Sequence, residues 1–192
     1  MSHIGSYDYY INIKKWIEIV EKRDTSIILY EGVSSNESNN NETMSITKLY
    51  DLVVKRCNIS NQEEVIKSKD SWINADLPYS LIKDNIWNEM GKIKQAIELL
   101  QDEEKTKHFR KIFLTMIKFR LMPEHNNFSM LELRNNHLVL ETIKHAQKFD
   151  NIGIIYGDAH LDGCVKQFKQ LGYELVDTTK YDVLQGVKIW GK

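Results

Sequence analysis

This sequence has few cysteines and no long apolar run, the features that mark disulfide-rich, secreted and membrane proteins. It has two cysteines, Cys57 and Cys164, which form no CxxC motif, so we expect buried thiols of a reducing compartment rather than a disulfide framework. No apolar run approaches the length of a membrane span, and the first residues contain no apolar stretch of a signal peptide. We therefore expect a cytoplasmic protein without membrane association.

The charge balance lacks an excess of either sign. The formal net charge is -1 and the pI is about 6.6, which argues against a broad electrostatic attraction to nucleic acid or to anionic lipid. A chain of 192 residues, 42% hydrophobic and 28% charged, is long enough to bury one core. We expect residues 1–192 to form a single domain.

The first part of the chain predicts a capped helix and a buried strand. Ser6 suits the N-cap of a helix, and Ser26–Tyr30 is a short apolar run typical of a parallel strand. The polar tract 34–42 predicts a loop, and a second helix is expected to begin near Thr43. Residues 79–122 are expected to form a helical insertion that ends before Pro123.

The last third of the chain predicts alternating strands and helices. A helix over 129–149 is followed by a strand, Ile152–Tyr156, and by a helix, Cys164–Leu171. Further strands are expected at Tyr173–Val176 and Val183–Trp190. The sequence thus predicts an α/β fold, with a mainly parallel sheet flanked by helices.

Polar residues that suit a metal follow two of these strands. Glu31 comes directly after the first, and His160 comes after the second, in a turn that begins at Gly157 and leaves room for a ligand to approach. The carboxyl ends of parallel strands meet at one edge of a sheet, where ligands bind. His3, in a turn before the first helix, completes a set of two imidazoles and a carboxylate that suits a divalent ion. Each residue alone has an ordinary structural reading, as a surface histidine or a capping glutamate.

The segment YGDAHLDGCVKQFKQLGYELV resembles the C-terminal signature of the TraB/Tiki superfamily. That signature is a strand, then Gly-x-x-His-Leu-x-Gly, then a helix and Gly-Tyr. The residues that match it in order are Gly157, His160, Leu161, Gly163, Gly172 and Tyr173.

Other matches lie upstream in the family order. Leu133-Arg134-Asn135 resembles an Arg-Asn pair on the preceding helix, and SWINADL, with Asp76, resembles an Asn-x-Asp element. Ser2-His3-Ile4-Gly5 and Leu29-Tyr30-Glu31-Gly32 resemble the N-terminal histidine turn and the strand with its glutamate.

The resemblance implies a metal-dependent, peptidase-like hydrolase with the architecture of erythromycin-esterase (EreA) and ChaN-like proteins. His3, Glu31 and His160 would bind a divalent ion (Mn, Co or Zn), and Glu31, Arg134 and Asn135 would be catalytic. The substrate would be a peptide or another small molecule with an amide bond. The alternatives are a non-enzymatic binding or regulatory protein and a ChaN-like binder of haem or metal.

The sequence departs from the family pattern at its start, because only Met1 and Ser2 precede His3. The family's first strand and its glycine are missing, which puts the role of His3 in doubt. An open sheet edge favours pairing with another chain, so we expect a homodimer whose N-terminal region contacts the partner.

Four polar residues have two interpretations each. Arg134 and Asn135 form either a solvated stripe or a polar cluster that faces the site, with Arg134 stabilising an oxyanion. Asp76 either caps a helix that begins at Leu77 or orients a histidine from behind. Asp158 is either a turn residue or a binding residue, and the turn is favoured.

Overall fold

The structure is a computed structural model that describes residues 4–32, 41–78, 81, 95, 97–118 and 128–187. The side chains of residues 41–47, 103, 128 and 129 are not described. His3 and most of the predicted loop at 34–42 lie outside these ranges. So do large parts of the predicted insertion.

The described residues form a mixed α/β fold. The helices are α1 (Tyr7–Glu21), α2 (Asn41–Cys57), α3 (Gln62–Val65), α4 (Glu103–Lys118), α5 (Phe128–Ala146) and α6 (Leu161–Gln170). The strands are β1 (Ile4–Gly5), β2 (Ser26–Tyr30), β3 (Ser60–Asn61), β4 (Ile73–Asn74) and β5 (Asn151–Ile155). Residues 97–101 are also helical.

A small parallel sheet contains the strands predicted at Ser26–Tyr30 and Ile152–Tyr156, the first of them at its centre. Its order is β4-β2-β5, and both neighbours of β2 run parallel to it. Leu29 of β2 stands opposite Ile73 on one side and Ile154 on the other. The short strands β1 and β3 pair antiparallel in a separate sheet. The predicted strand at Ser26–Tyr30 is confirmed, and the strand predicted at Ile152–Tyr156 begins one residue earlier.

Helices cover both faces of the sheet because successive strand residues point in opposite directions. Ile28 packs with Tyr10, Ile17 and Val20 of α1, and Ile155 joins the same cluster. Leu29 packs on the other face, with Leu138 and Val139 of α5 and Cys164 of α6. The buried β2 therefore needs apolar residues at both of these positions, as a parallel strand does.

A third apolar cluster joins α2 and α4 to the C-terminal segment. Its buried residues are Val53, Cys57, Ile59, Leu100, Leu114 and Leu184. The helix α4 lies within the range predicted as a helical insertion. Cys57 and Cys164 are free and buried, as predicted, and burial raises the pKa of both thiols to about 11.

The strand predicted at Tyr173–Val176 is wrong. The segment is irregular, and Val176 is 93% exposed. Its alternating pattern suits a strand, but in the described part of the chain the sheet ends at β5, so no neighbour pairs with it. The predicted edge strand Val183–Trp190 is also wrong over its described part, since 183–186 form a turn and Val187 is irregular. Residues 188–190 lie outside the described residues.

None of the helices, over the residues that the structure describes, has both the length and the apolar character needed to cross a membrane. The helix α1 starts as its sequence predicts. Ser6 has extended backbone, and its hydroxyl accepts a hydrogen bond from the Tyr9 amide at 3.2 Å.

Candidate functional site

The carboxyl ends of β2 and β5 bring Glu31 and His160 together. The Glu31 amide donates to Ile155 O at 2.9 Å, so the chain just beyond β2 stays beside β5. A 3-10 helical turn, Asp158–His160, follows Gly157 and returns the His160 side chain to the sheet edge. His160 Nε2 lies 3.9 Å from Glu31 Oε1. The expectation that these two residues meet at one edge is confirmed.

Both carboxylate oxygens of Glu31 accept hydrogen bonds. Arg134 Nη2 donates to Oε1 at 2.5 Å, and the Gly157 amide donates to Oε2 at 2.5 Å. A Cβ at position 157 would lie 2.9 Å from Glu31 Oε2, which is too close. Gly157 is therefore part of the site through its backbone, because only glycine lets the amide approach the carboxylate.

Arg134 is also held by a second carboxylate, that of Asp76. Its Nε and Nη2 donate to Asp76 Oδ1 and Oδ2 at 2.9 and 2.7 Å, a two-point pairing of a guanidinium with a carboxylate. The Asp76 side chain is fully buried, and its Oδ1 also accepts from the Leu77 amide at 2.8 Å. The structure shows Asp76 paired with Arg134, a partner that neither interpretation of Asp76 named. Whether a helix starts at Leu77 lies outside the described residues.

The charges in this cluster depend on one another. Burial alone lowers the pKa of Arg134. The hydrogen bond to Asp76 and the charges of Glu31 and Asp76 outweigh that effect and raise the pKa above its ordinary value. Arg134 thus stays cationic between two carboxylates. Removing one member of such a buried group costs about 3–5 kcal/mol, because an uncompensated charge is left behind.

Asn135 determines which ring nitrogen of His160 carries the hydrogen. Asn135 Oδ1 lies 2.6 Å from His160 Nδ1, and an amide oxygen only accepts, so Nδ1 carries the hydrogen. The Cys164 thiol donates to the same oxygen at 3.5 Å, which agrees with this assignment. When the imidazole is neutral, Nε2 is therefore the basic nitrogen, and it is the nitrogen that faces Glu31.

The imidazole is buried and its pKa is low. His160 is 4% exposed. Burial lowers the pKa of His160 below its ordinary value, with the positive charge of Arg134 acting in the same direction, although Glu31 and Asp76 oppose the shift. His160 is thus neutral at neutral pH, and its Nε2 can accept a proton.

The structure shows why the histidine motif ends in a glycine, Gly163. A Cβ built at this position in α6 would overlap Asn135 Nδ2. Because position 163 has no side chain, the Asn135 amide fits beside α6 and reaches His160. Asn135 is 4% exposed, so the amide has little room to move elsewhere.

Tyr156 belongs to the site, although the sequence marks it only as a strand residue. Its hydroxyl lies 3.1 Å from Asp76 Oδ1 and 3.3 Å from Ala75 O. Its ring centroid is 4.9 Å from that of His160 at 85°, and Arg134 Cζ lies 5.8 Å from it. Its place directly before Gly157, at a strand end, was the signal that could have found it.

Two predicted residues remain, Asp158 and His3. Asp158 is exposed at the start of the 3-10 turn, which agrees with the turn reading. His3 lies outside the described residues. The family-like segment that contains Asp76 also supplies Asn74, whose side chain accepts from the Asp76 amide at 3.0 Å and donates to Gly32 O at 2.5 Å.

The described residues do not fit a divalent ion in this arrangement. Glu31 Oε1 and His160 Nε2 are the two donor atoms that face each other, and Oε1 already accepts from Arg134. A cation bound to this oxygen would be repelled by the positive charge of the guanidinium that is hydrogen-bonded to it. In the part of the chain that the structure describes, no three His, Cys, Asp or Glu side chains form a metal-binding group.

Comparisons with protein-family models, with curated proteins and with solved structures returned no match to this chain. The membership of the TraB/Tiki superfamily therefore stays a prediction from the motifs.

Proposed function

We propose that this cluster is the site of a hydrolase that acts on a peptide or amide bond. The observation that carries the proposal is the pairing of His160 Nε2 with Glu31 Oε1 at 3.9 Å, in a site where Asn135 fixes the histidine tautomer. A water molecule placed between these atoms can lie within hydrogen-bonding distance, about 2.8 Å, of both. Such a water is oriented by a carboxylate and adjoins a neutral imidazole.

The proposed reaction uses this water as the nucleophile. His160 Nε2 takes a proton from it, and the resulting hydroxide oxygen bonds to the carbonyl carbon of the substrate. The tetrahedral intermediate then breaks its C–N bond, and the imidazolium returns the proton to the leaving amine. The low pKa of His160 keeps the imidazole in its basic form at neutral pH.

Arg134 has the chemistry to stabilise the developing oxyanion. Its Nε and Nη2 are used by Asp76 and Glu31, and among the described contacts Nη1 is the guanidinium nitrogen that binds neither carboxylate. A donor held in place before the reaction needs little reorganisation, which is why such groups contribute strongly to catalysis.

The metal-dependent form of the hydrolase is a second version of the same proposal, derived from the family resemblance. It requires His3 as a third ligand and the release of Glu31 Oε1 by Arg134. The finer assignment of the fold as EreA/ChaN-like is likewise proposed. It is supported by the parallel order β4-β2-β5 and by the site at the strand ends. The non-enzymatic and haem-binding alternatives predict no hydrolysis.

The test is a hydrolysis screen with peptide and amide probes, run with wild type, His160→Gln and Glu31→Gln. We expect kcat to fall by about 100-fold or more in His160→Gln, since general-base catalysis contributes 10²–10⁴-fold. His108→Gln is the matched control, because His108 lies exposed on α4, and it should keep wild-type activity. If no folded preparation of wild type hydrolyses any probe, the hydrolase proposal is wrong.

The role of a metal is tested in the same samples. Activity that survives chelation, with no change of melting temperature on adding Mn, Co or Zn, supports the metal-free form. A rise in melting temperature that disappears in His160→Ala supports the metal-dependent form. A haem absorbance band in the purified protein would favour the ChaN-like alternative.

A further inference from the structure

We infer that Tyr156 is a positioning residue that holds the His160 imidazole in the orientation needed for hydrolysis. The inference rests on the proposed function but adds a residue that the motifs do not assign. The hydrogen bond with Asn135 does not by itself fix the orientation of the His160 ring. The hydrogen bond from Nδ1 to Asn135 fixes one ring atom, and the χ2 torsion of histidine is intrinsically broad. The ring plane needs a second contact.

Tyr156 supplies that contact. The two rings meet edge to face, with centroids 4.9 Å apart and an interplanar angle of 85°. This geometry is the favourable one for aromatic pairs. With Nδ1 held by Asn135 and the ring held by Tyr156, Nε2 is directed towards Glu31 Oε1.

The Tyr156 ring is itself immobilised at both ends. Its backbone continues directly from β5, and its hydroxyl is held by Asp76 Oδ1 and Ala75 O, beyond β4. Tyr156 is 7% exposed, so its ring has little freedom to rotate away from His160. Burial raises the pKa of Tyr156, so the hydroxyl stays protonated and donates.

The same ring also contacts the charged half of the site. Arg134 Cζ lies 5.8 Å from the ring centroid, within the range of a cation–π contact. Tyr156 therefore touches both the imidazole that takes the proton and the guanidinium proposed to stabilise the oxyanion. A change in its ring should disturb their relative positions without removing either group.

The experiment compares Tyr156→Phe with Tyr156→Leu. Phenylalanine keeps the ring and loses the hydroxyl, and Asp76 Oδ1 retains its bonds from Leu77 and Arg134. Leucine removes the ring. We expect Tyr156→Phe to keep kcat within about threefold of wild type. Tyr156→Leu should lower kcat by about tenfold or more with little change in KM. A loss of about this size is typical when a residue that orients a functional side chain is removed. Tyr173→Phe, at an exposed tyrosine beyond α6, is the control and should match wild type.

A second readout does not depend on activity. In long-range ¹H–¹⁵N spectra, the neutral His160 of wild type and of Tyr156→Phe should show the single Nδ1–H tautomer. Tyr156→Leu, measured well below its melting temperature, should show averaging of the two tautomers, because an imidazole free to rotate about χ2 leaves its hydrogen bond with Asn135 for part of the time. If Tyr156→Leu keeps one tautomer and wild-type kcat, the inference is wrong. If wild type hydrolyses nothing, the spectra still decide the positioning role, while the proposed function fails separately.

Discussion

Single residues in this site are constrained by how closely the backbone must approach polar side chains. Gly157 brings its amide to Glu31, and Gly163 makes room for the Asn135 amide. Neither glycine sits at a positive φ angle. Glycine is required at both positions because a Cβ would collide with a neighbouring side chain, not because of the backbone conformation.

Gly163→Ala tests the requirement for glycine, because the sign of the change in the free energy of unfolding distinguishes the two possibilities. In the interior of a helix, alanine is more favourable than glycine by about 1 kcal/mol. We expect the opposite here, a loss of about 1–2 kcal/mol, because the new Cβ displaces Asn135 from its buried hydrogen bond with His160. Urea unfolding measures the change in the free energy of unfolding.

Asn135→Ala provides the matched background for this substitution. With the amide removed, the added methyl group at position 163 meets no obstacle, and Gly163→Ala should become neutral or stabilising. A double-mutant cycle isolates the coupling between the two positions. Equal effects of Gly163→Ala in both backgrounds would contradict the packing argument.

At the scale of elements, the start of α1 depends on a single cap. Ser6→Ala should lower the free energy of unfolding by about 1 kcal/mol, because the Tyr9 amide loses its acceptor. Chemical denaturation measures the loss. Ser60→Ala is a matched serine in β3, which the structure gives no capping role, and it should change stability by less than about 0.5 kcal/mol. If the two variants lose the same amount, the cap is not what stabilises α1.

The sequence predicts the elements with strong local patterns and misses those that depend on distant partners. The strand Ser26–Tyr30 is recognisable because its apolar run is buried on both faces, and the meeting of Glu31 with His160 follows from parallel strand ends. The strand at Tyr173–Val176 fails because alternation indicates a strand only where a neighbour exists to pair with it. Pairing of Asp76 with Arg134, 58 residues apart, is equally nonlocal, so the sequence predicts for Asp76 only a helix cap or a partner of a histidine.

At the scale of the whole molecule, the two ends of the described chain meet. Val183 O accepts from the Ser6 amide at 2.7 Å, so the C-terminal segment lies against the start of α1. The homodimer expected from an open sheet edge stays a prediction, which sedimentation at micromolar concentration tests. The contribution of the C-terminal segment to the stability of the fold can be tested by substitution.

Leu184 is the residue through which the C-terminal segment joins the core. It is 3% exposed and packs in the cluster of Val53, Leu100 and Leu114. Leu184→Ala should lower the free energy of unfolding by about 2–5 kcal/mol, the range for removing a buried leucine side chain. Val176→Ala, at a 93% exposed position of the same segment, should change it by less than about 0.5 kcal/mol. Urea unfolding compares the two. If Leu184→Ala were as mild as Val176→Ala, the C-terminal segment would be an appendage, and the cluster between α2 and α4 would be complete without it.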